Sequence, residues 1–293
     1  MDTLVTIQID AKGRNGNEIL QNAFQLISSL EDRLSFYKDD SLIRLFNEGR
    51  SERIKLNTDL QNMVALATEL YAISDHKFDI TIGRLTELWD FEAEIIPSDV
   101  QIRESIEFVG LDKLQIIEGF LTKPEGMKIN LGGMAKGFII DKTVEFLKSQ
   151  SVESGFVNAG GDIRIFGKKK PLRIGIQHPR KPDQIIDKIW LNDIAVVTSG
   201  DYERSFEKEG KRYHHIIDPQ SGYPSANCIS VTLIAKETLL ADAYSTALFL
   251  LPPSKAVTIA ENDPRLEAII FFENDGVIEH LETSGMEIYR KGN

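Results

Sequence analysis

The chain has 293 residues, with 34 Lys+Arg against 45 Asp+Glu for a formal net charge of -11, and is 42% hydrophobic and 27% charged. That balance fits a globular protein with a sizeable core, excludes a disordered chain, and argues against nucleic acid as partner, because phosphate backbones need a basic face. A single cysteine, Cys228, excludes an intrachain disulfide and a thiolate-rich metal site; no apolar run reaches the roughly 18 residues of a membrane span, and the first ten residues carry no signal-peptide pattern. In chain order, Val5, Ile7 and Ile9 alternate as a half-buried strand does. Ile19, Ala23, Phe24, Ile27, Leu30 and Leu34 recur at helical spacing behind an Asn15-Gly16-Asn17 start signal. Leu60, Met63, Val64, Ala67, Leu70 and Tyr71 repeat that pattern behind Asn57-Thr58. Residues 114–117 and 127–131 read as short strands, and 135–149 as a helix carrying Ile139, Val144 and Leu147. Strand signals then crowd together at 163–166, 172–176, 188–191, 194–198, 202–207, 212–217 and 229–235, with Lys208-Glu209-Gly210 as a hairpin turn. A helix over about 241–250 stops at Pro252-Pro253, and 266–272 is a final apolar strand. No repeat or long linker divides the chain, so the expectation is one mixed α/β domain over 1–293, built as a unit or as two interlocked lobes.

Three segments carry chemistry. Asn130-Leu-Gly-Gly-Met-Ala-Lys-Gly137 is a glycine-rich turn opening a helix; its free N–H groups and Lys136 suit an anion, and its glycines equally suit a tight structural turn. It is neither a Walker A loop nor GxGxxG. In Ala241-Asp-Ala-Tyr-Ser-Thr246, Asp242 and Thr246 share a helix face with Ser245 alongside. One carboxylate with hydroxyl oxygens is a hard-oxygen set that fits Mg²⁺ and not zinc, while the same residues also serve as a helix cap and a back-bonded threonine. Tyr213-His-His-Ile-Ile-Asp-Pro-Gln-Ser-Gly222 runs from a strand into a turn, so its adjacent histidines face opposite sides and Asp218 reads as a turn former. Thr198-Ser-Gly-Asp-Tyr202 adds small polar residues at a strand end. Lys77-Phe-Asp-Ile-Thr-Ile-Gly83 with Leu88-Trp-Asp-Phe91, and Ser35-Phe-Tyr-Lys-Asp-Asp-Ser41, mix aromatic and polar groups as a planar-ligand pocket does, although such aromatics more commonly belong to a core.

Taken together, these segments resemble the ApbE family of FAD:protein FMN transferases. The resemblance runs through Met1-Asp-Thr, Leu34-Ser-Phe-Tyr with Ser41-Leu-Ile-Arg-Leu-Phe-Asn47, Phe78-Asp-Ile-Thr81 with Leu88-Trp89, and 130–137 followed by Asp141. It continues through Asn158-Ala-Gly-Gly-Asp162, Thr198-Ser-Gly200, His215-Ile-Ile-Asp-Pro219 with Gly222, and Asp242 with Thr246. It implies an ApbE-like, T-fold-like arrangement of mixed sheets and packed helices around an FAD cleft. It also implies Mg²⁺-dependent transfer of FMN from FAD to a threonine or serine hydroxyl of an acceptor flavoprotein, with release of AMP. Carried over by position, Gly133, Asp242, Ser245 and Thr246 would hold Mg²⁺. Met1, Tyr37, Lys77, Phe78, Asp79, Asn130, Lys136 and Ile216 would line the FAD site. The resemblance gives catalytic roles to His215, Asp242 and Lys136, with His215 facing the flavin or the acceptor's proton.

Four positions depart from the family pattern: Asp2 stands where a glycine is usual, Lys77 where a small residue is usual, Arg84 where a proline is usual, and Asn130 where an aspartate is usual. Two other activities use the same residues: a Mg²⁺-dependent FAD pyrophosphatase, with water as acceptor, and a non-catalytic flavin carrier. Because the resemblance starts at Met1, the expectation is a cytoplasmic protein, the alternative being an exported one whose leader has been removed.

Overall fold

The structure, a computed structural model, describes residues 3–11, 15–167 and 170–291. Strand β1 (Val5–Asp10) leads into α1 (Gly16–Leu34), α2 (Leu42–Asn47), β2 (Ile54–Lys55), α3 (Thr58–Ile73), α4 (Gly83–Leu88) and α5 (Asp99–Ile106). The hairpin β3 (Gln115–Ile117) and β4 (Phe120–Thr122) precedes α6 (Ala135–Ser149). Then come β5 (Ser154–Ala159), β6 (Asp162–Phe166), the long hairpin β7 (Leu172–His178) and β8 (Lys181–Leu191), and β9 (Ala195–Gly200). A second hairpin, β10 (Ser205–Lys208) and β11 (Lys211–His214), is followed by β12 (Ser230–Ala235), α7 (Thr238–Phe249) and α8 (Pro253–Asn262). The last elements are β13 (Leu266–Asn274), β14 (Val277–Glu282) and α9 (Met286–Arg290).

The main sheet has the order β1-β5-β6-β9-β12-β13-β14 and every pairing in it is antiparallel. Its central strands are buried on both faces. On β12, Val231, Leu233 and Ala235 face the helices, whereas Ile234 joins Ile269 and Phe271 on the opposite face, under the β7–β8 hairpin. An unbroken apolar run such as 229–235 is the sequence form of that two-sided burial. The N-terminal helices start where their capping residues dictate: Asn15 accepts from the Glu18 N–H and Asn57 from the Leu60 N–H. In the β10–β11 turn Glu209 and Gly210 both have positive φ, the conformation of a tight two-residue hairpin.

Four expected strands differ: the one at 188–191 is the end of the long β8, the one at 212–217 stops at His214 with only an isolated bridge from Ile217 to Pro224, and two others depart further. The segment 127–131 runs extended with Met127, Ile129 and Leu131 buried, yet its sheet pairing is one parallel bridge, Ile82 to Lys128. The Asn47 amide takes over instead, donating to the Ile129 carbonyl and accepting from the Ile129 N–H, both at 2.8 Å. The strand expected from 202 begins at Ser205, because the Asp201 carboxylate is held by the Arg180 guanidinium at 2.6 and 2.7 Å and 201–204 turns around it.

Candidate active site

The sheet positions α6 and α7 side by side, and the site lies where their first turns cross. Leu131 ends the extended segment, and its carbonyl accepts from the N–H groups of Met134 (3.0 Å) and Ala135 (2.8 Å), starting α6. The Asn130 side chain accepts from the Gly132 N–H at 2.8 Å and reaches Thr86 Oγ1 at 3.3 Å, fixing the turn from within. One turn on, a Cβ at position 137 would lie 2.4 Å from the Thr238 carbonyl oxygen and 2.7 Å from Asp242 Cβ, so glycine alone permits the helices to approach this closely. The Gly137 N–H donates to Asp242 Oδ2 at 2.7 Å. In return, Asp141 on α6 accepts from the N–H groups of Thr238 (2.9 Å) and Leu239 (2.8 Å), the first turn of α7. Each helix therefore satisfies orphan donors of the other. The helix starts at Thr238 rather than near 241, and Asp141 supplies the cap, so Asp242 does not cap α7.

Three charged groups meet there. Lys136 Nζ lies 2.7 Å from Asp162 Oδ2, an ion pair rather than an aligned hydrogen bond, and Asp162 is 1% exposed. Burial, reinforced by the charge of Asp162, pushes the Asp242 carboxyl up to about 7 against the pull of Lys136 and the Gly137 N–H. Burial likewise raises Asp162, opposed by Lys136. Burial pulls the Lys136 ammonium down, but Asp162 and Asp242 outweigh it and hold its pKa above the usual value. Two buried carboxylates facing one ammonium leave a local negative excess that a cation relieves.

Oxygen donors complete the wall. At the end of β9, Ser199 Oγ lies 2.8 Å from Ser245 Oγ and 3.4 Å from Thr246 Oγ1 on α7. Thr246 in turn abuts the glycine turn: a Cβ at Gly133 would sit 3.2 Å from Thr246 Cγ2 and 3.4 Å from the Phe78 ring. Asp242 Oδ1 has no hydrogen-bond partner among the described residues. A carboxylate oxygen, hydroxyls and backbone carbonyls are the donors a hard dication takes, so this chain's residues fit Mg²⁺. Among the described residues no group of three or more His, Cys, Asp or Glu side chains is arranged to hold a metal ion, so a cation here would rest on one carboxylate with hydroxyl and carbonyl oxygens.

The histidine strand forms the neighbouring wall. His214 points inward: its Nε2–H donates to the Ser225 carbonyl at 2.7 Å, Nδ1 accepts from the Ile216 N–H at 3.3 Å, and burial lowers its pKa, all consistent with a neutral ring. His215 points outward with its N–H on the Arg204 carbonyl (3.2 Å). It keeps exposed surface, yet the cleft around it strips solvent, and this desolvation, with His214, Arg204 and Lys136 adding positive charge, depresses its pKa. The imidazole near the Lys136 cluster is therefore neutral, and the same positive charge and desolvation weaken it as a base.

The structure thus brings Gly133, Lys136, Asp242, Ser245, Thr246 and Phe78 together, with His215 beside them. The other expected ligand contacts are distributed differently. Lys77 forms an ion pair with Asp218, joining the loop after α3 to the turn after the histidines. Asp79 is a brace: its buried carboxylate accepts from Thr81 N–H (2.7 Å), Thr81 Oγ1 (2.6 Å) and Leu111 N–H (3.0 Å). Ile216 is buried in the main core with Phe78. Tyr37 stands exposed after α1, edge-on to Phe36. Met1 lies outside the described residues. Trp89 and Phe91 stack on each other and pack at tilted angles against Tyr213 and Phe206, a satellite core rather than an open ligand platform. Asp141, Asp162 and Ser199 were not among the expected site residues; their motifs stand in the sequence, but the partners that give them roles lie 97, 26 and 46 residues away. A cavity of about 260 Å³ also opens on another face of α6, lined by Asp59, Phe138, Asp141, Lys142 and Arg164 among others, and none of Lys136, Asp162, Asp242 or Thr246 borders it.

A family model described as the ApbE family matches residues 1–270. A curated relative from Vibrio cholerae, named FAD:protein FMN transferase, is 32% identical over 272 residues, spanning 89% of this chain and 81% of its own length. One of the same name from Klebsiella pneumoniae is 32% identical over 269 residues, spanning 89% and 84%. Among solved structures, the ApbE protein of Thermotoga maritima superposes with a TM-score of 0.89 at 33% identity, covering 99% of this chain and 96% of that one. The flavin transferase ApbE of Vibrio cholerae gives 0.88 at 27% identity, covering 99% and 96%.

Proposed function

The chain belongs to the ApbE family, and from that premise we propose that it is an FAD:protein FMN transferase that depends on Mg²⁺ and releases AMP. In this reaction the hydroxyl oxygen of an acceptor threonine or serine bonds to the phosphorus of the FMN half of FAD. The phosphoanhydride P–O bond breaks, AMP leaves with the bridging oxygen, and the hydroxyl proton passes to a base. The observation that carries the reading is the junction of Lys136, Asp162, Asp242 and Thr246 at the crossing of α6 and α7.

Asp242 and Thr246 side chains and a Gly133 backbone oxygen would hold the cation, which supplies neutralisation of pyrophosphate charge when bound. Lys136, oriented by Asp162, is placed to neutralise the charge that moves onto the departing phosphate. His215 is the ring that would receive the acceptor's proton, its desolvation keeping it in the neutral form that can accept one. The acceptor flavoprotein presents its hydroxyl from the open side of the cleft. Among the described residues no helix is long and apolar enough to cross a membrane.

Incubation with FAD, Mg²⁺ and an acceptor domain should add the mass of FMN to the acceptor and give in-gel flavin fluorescence, with AMP as the other product. Asp242→Asn should abolish this. Free FMN and AMP with every acceptor would identify a pyrophosphatase, and FAD left intact in the presence of Mg²⁺ would leave only a flavin carrier.

A further inference from the structure

The three hydroxyls between β9 and α7 have only three protons, and the structure determines where two of them go. Ser245 Oγ–H donates to the Asp242 carbonyl at 2.9 Å. A hydroxyl has one proton, so in the 2.8 Å contact between Ser245 Oγ and Ser199 Oγ the donor has to be Ser199. Ser199 Oγ is left as an acceptor, and Thr246 Oγ1 lies 3.4 Å from it. The Thr246 proton then turns toward Ser199, and the Thr246 lone pairs turn toward the side where Gly133 approaches; a Cβ there would be 3.5 Å from Oγ1.

We propose that Ser199 is a positioning residue for the cation: by donating to Ser245 and accepting from Thr246, it fixes the polarity of the hydroxyl chain so that Thr246 Oγ1 meets the metal as a pure acceptor. Ser245 is the relay that orients Ser199 and is not itself a ligand. The inference rests on the reading that Asp242 and Thr246 hold Mg²⁺. It extends that reading to a strand, β9, that contributes no ligand of its own. An outer partner of this kind typically changes metal affinity by about 10–100-fold when removed. Without Ser199, Thr246 is free to rotate its proton into the metal-facing direction, where it repels a cation. Without Ser245, Ser199 loses the acceptor that claims its proton and can aim it at Thr246, with the same consequence.

The test is a titration of Mn²⁺ into the whole chain holding FAD, with free Mn²⁺ counted by electron paramagnetic resonance, so that turnover is not the readout. Ser199→Ala is expected to weaken Mn²⁺ binding about tenfold at an unchanged melting temperature. Ser245→Ala should weaken it by a similar factor, and the double variant should be no weaker than Ser199→Ala alone, because both act through one chain. Wild-type affinity in Ser199→Ala, or losses that multiply in the double variant as for two independent ligands, would overturn the inference. Asp242→Asn, which keeps an acceptor for the Gly137 N–H, separates the two readings. If it binds Mn²⁺ as the wild type does, the metal assignment itself fails. If it loses Mn²⁺ while Ser199→Ala does not, the metal assignment stands and the role of Ser199 falls.

Discussion

Replacing Gly137 with alanine tests whether the α6–α7 crossing holds the site together. The added Cβ would meet the Thr238 carbonyl oxygen at 2.4 Å and Asp242 Cβ at 2.7 Å. The first is backbone and cannot rotate away, so the helices must part by at least about 0.6 Å to reach the 3.0 Å floor of real contacts. Overpacking of this kind costs about 3 kcal/mol, the upper end of its usual range, because backbone rather than a side-chain tip must move. Parting the helices also stretches the 2.7 Å bond from the Gly137 N–H to the Asp242 carboxylate, worth about 1.5–3 kcal/mol. Alanine returns about 1 kcal/mol of helix propensity. The net loss is about 3.5–5 kcal/mol, a large share of the total stability of an ordinary domain. For a chain of this size that lowers the melting temperature by roughly 6–10 °C. Urea unfolding and thermal melting followed by circular dichroism measure both quantities. Gly133→Ala is the contrast: its Cβ meets a side-chain methyl at 3.2 Å, so its stability loss should be under about 1 kcal/mol. If Gly137→Ala melts at or above the wild type, helix propensity governs this position and the close crossing is not what holds the two helices.

Lys77→Met leaves the Asp218 carboxylate without its cation in a largely buried setting, and should cost about 1–3 kcal/mol by urea unfolding. Adding Asp218→Asn should recover part of that loss; a further drop would show that the pair is not the coupled unit. Asp79→Ala orphans two N–H groups and a hydroxyl, so a loss of about 3 kcal/mol or more is expected. An unchanged urea midpoint would mean that water replaces the carboxylate there. At the C-terminal end, Arg290 donates to Glu282 at 2.5 and 2.8 Å, and the hydrogen bond from Arg290 holds the Glu282 carboxyl below its ordinary 4.5. Because the folded pKa is the lower one, this stabilisation is complete above the unfolded value and is lost as pH falls through the folded one. Urea midpoints taken between about pH 6 and pH 3 should therefore fall less steeply in Arg290→Ala than in the wild type, and parallel curves would count against the pairing.

Local features that depend on neighbours in the chain were legible in the sequence. Asn15 and Asn57 cap the helices they precede, Glu209-Gly210 makes the expected turn, and α6 starts at Ala135 and ends at Ser149 as its periodicity indicates. The motif residues Gly133, Lys136, Asp242 and Thr246 also converge. What escaped notice depends on partners far away in the chain. The pattern at 127–131 is that of a strand, yet Asn47, more than 80 residues earlier, supplies the backbone partners that a neighbouring strand normally would. Trp89 and Phe91 have the composition of a flavin platform, but Tyr213 and Phe206 cover them from the β10–β11 hairpin. Asp141 stands in the motif that carries the resemblance, but its role as the cap of α7 shows only once that helix is set against it.

The mutual capping of α6 and α7 also has a kinetic consequence. Gly137 and Asp242 are 105 residues apart, and Asp141 and Thr238 are 97 apart, so each tie closes a long loop and carries an entropic cost that local helix contacts do not. A ligand of the cleft that needs both ties acts on the native state alone: it retards unfolding and leaves the refolding rate as it was, which stopped-flow refolding with and without FAD would read directly. On the ribosome the same geometry sets an order of events, since α7 must have emerged before its crossing with α6 can form.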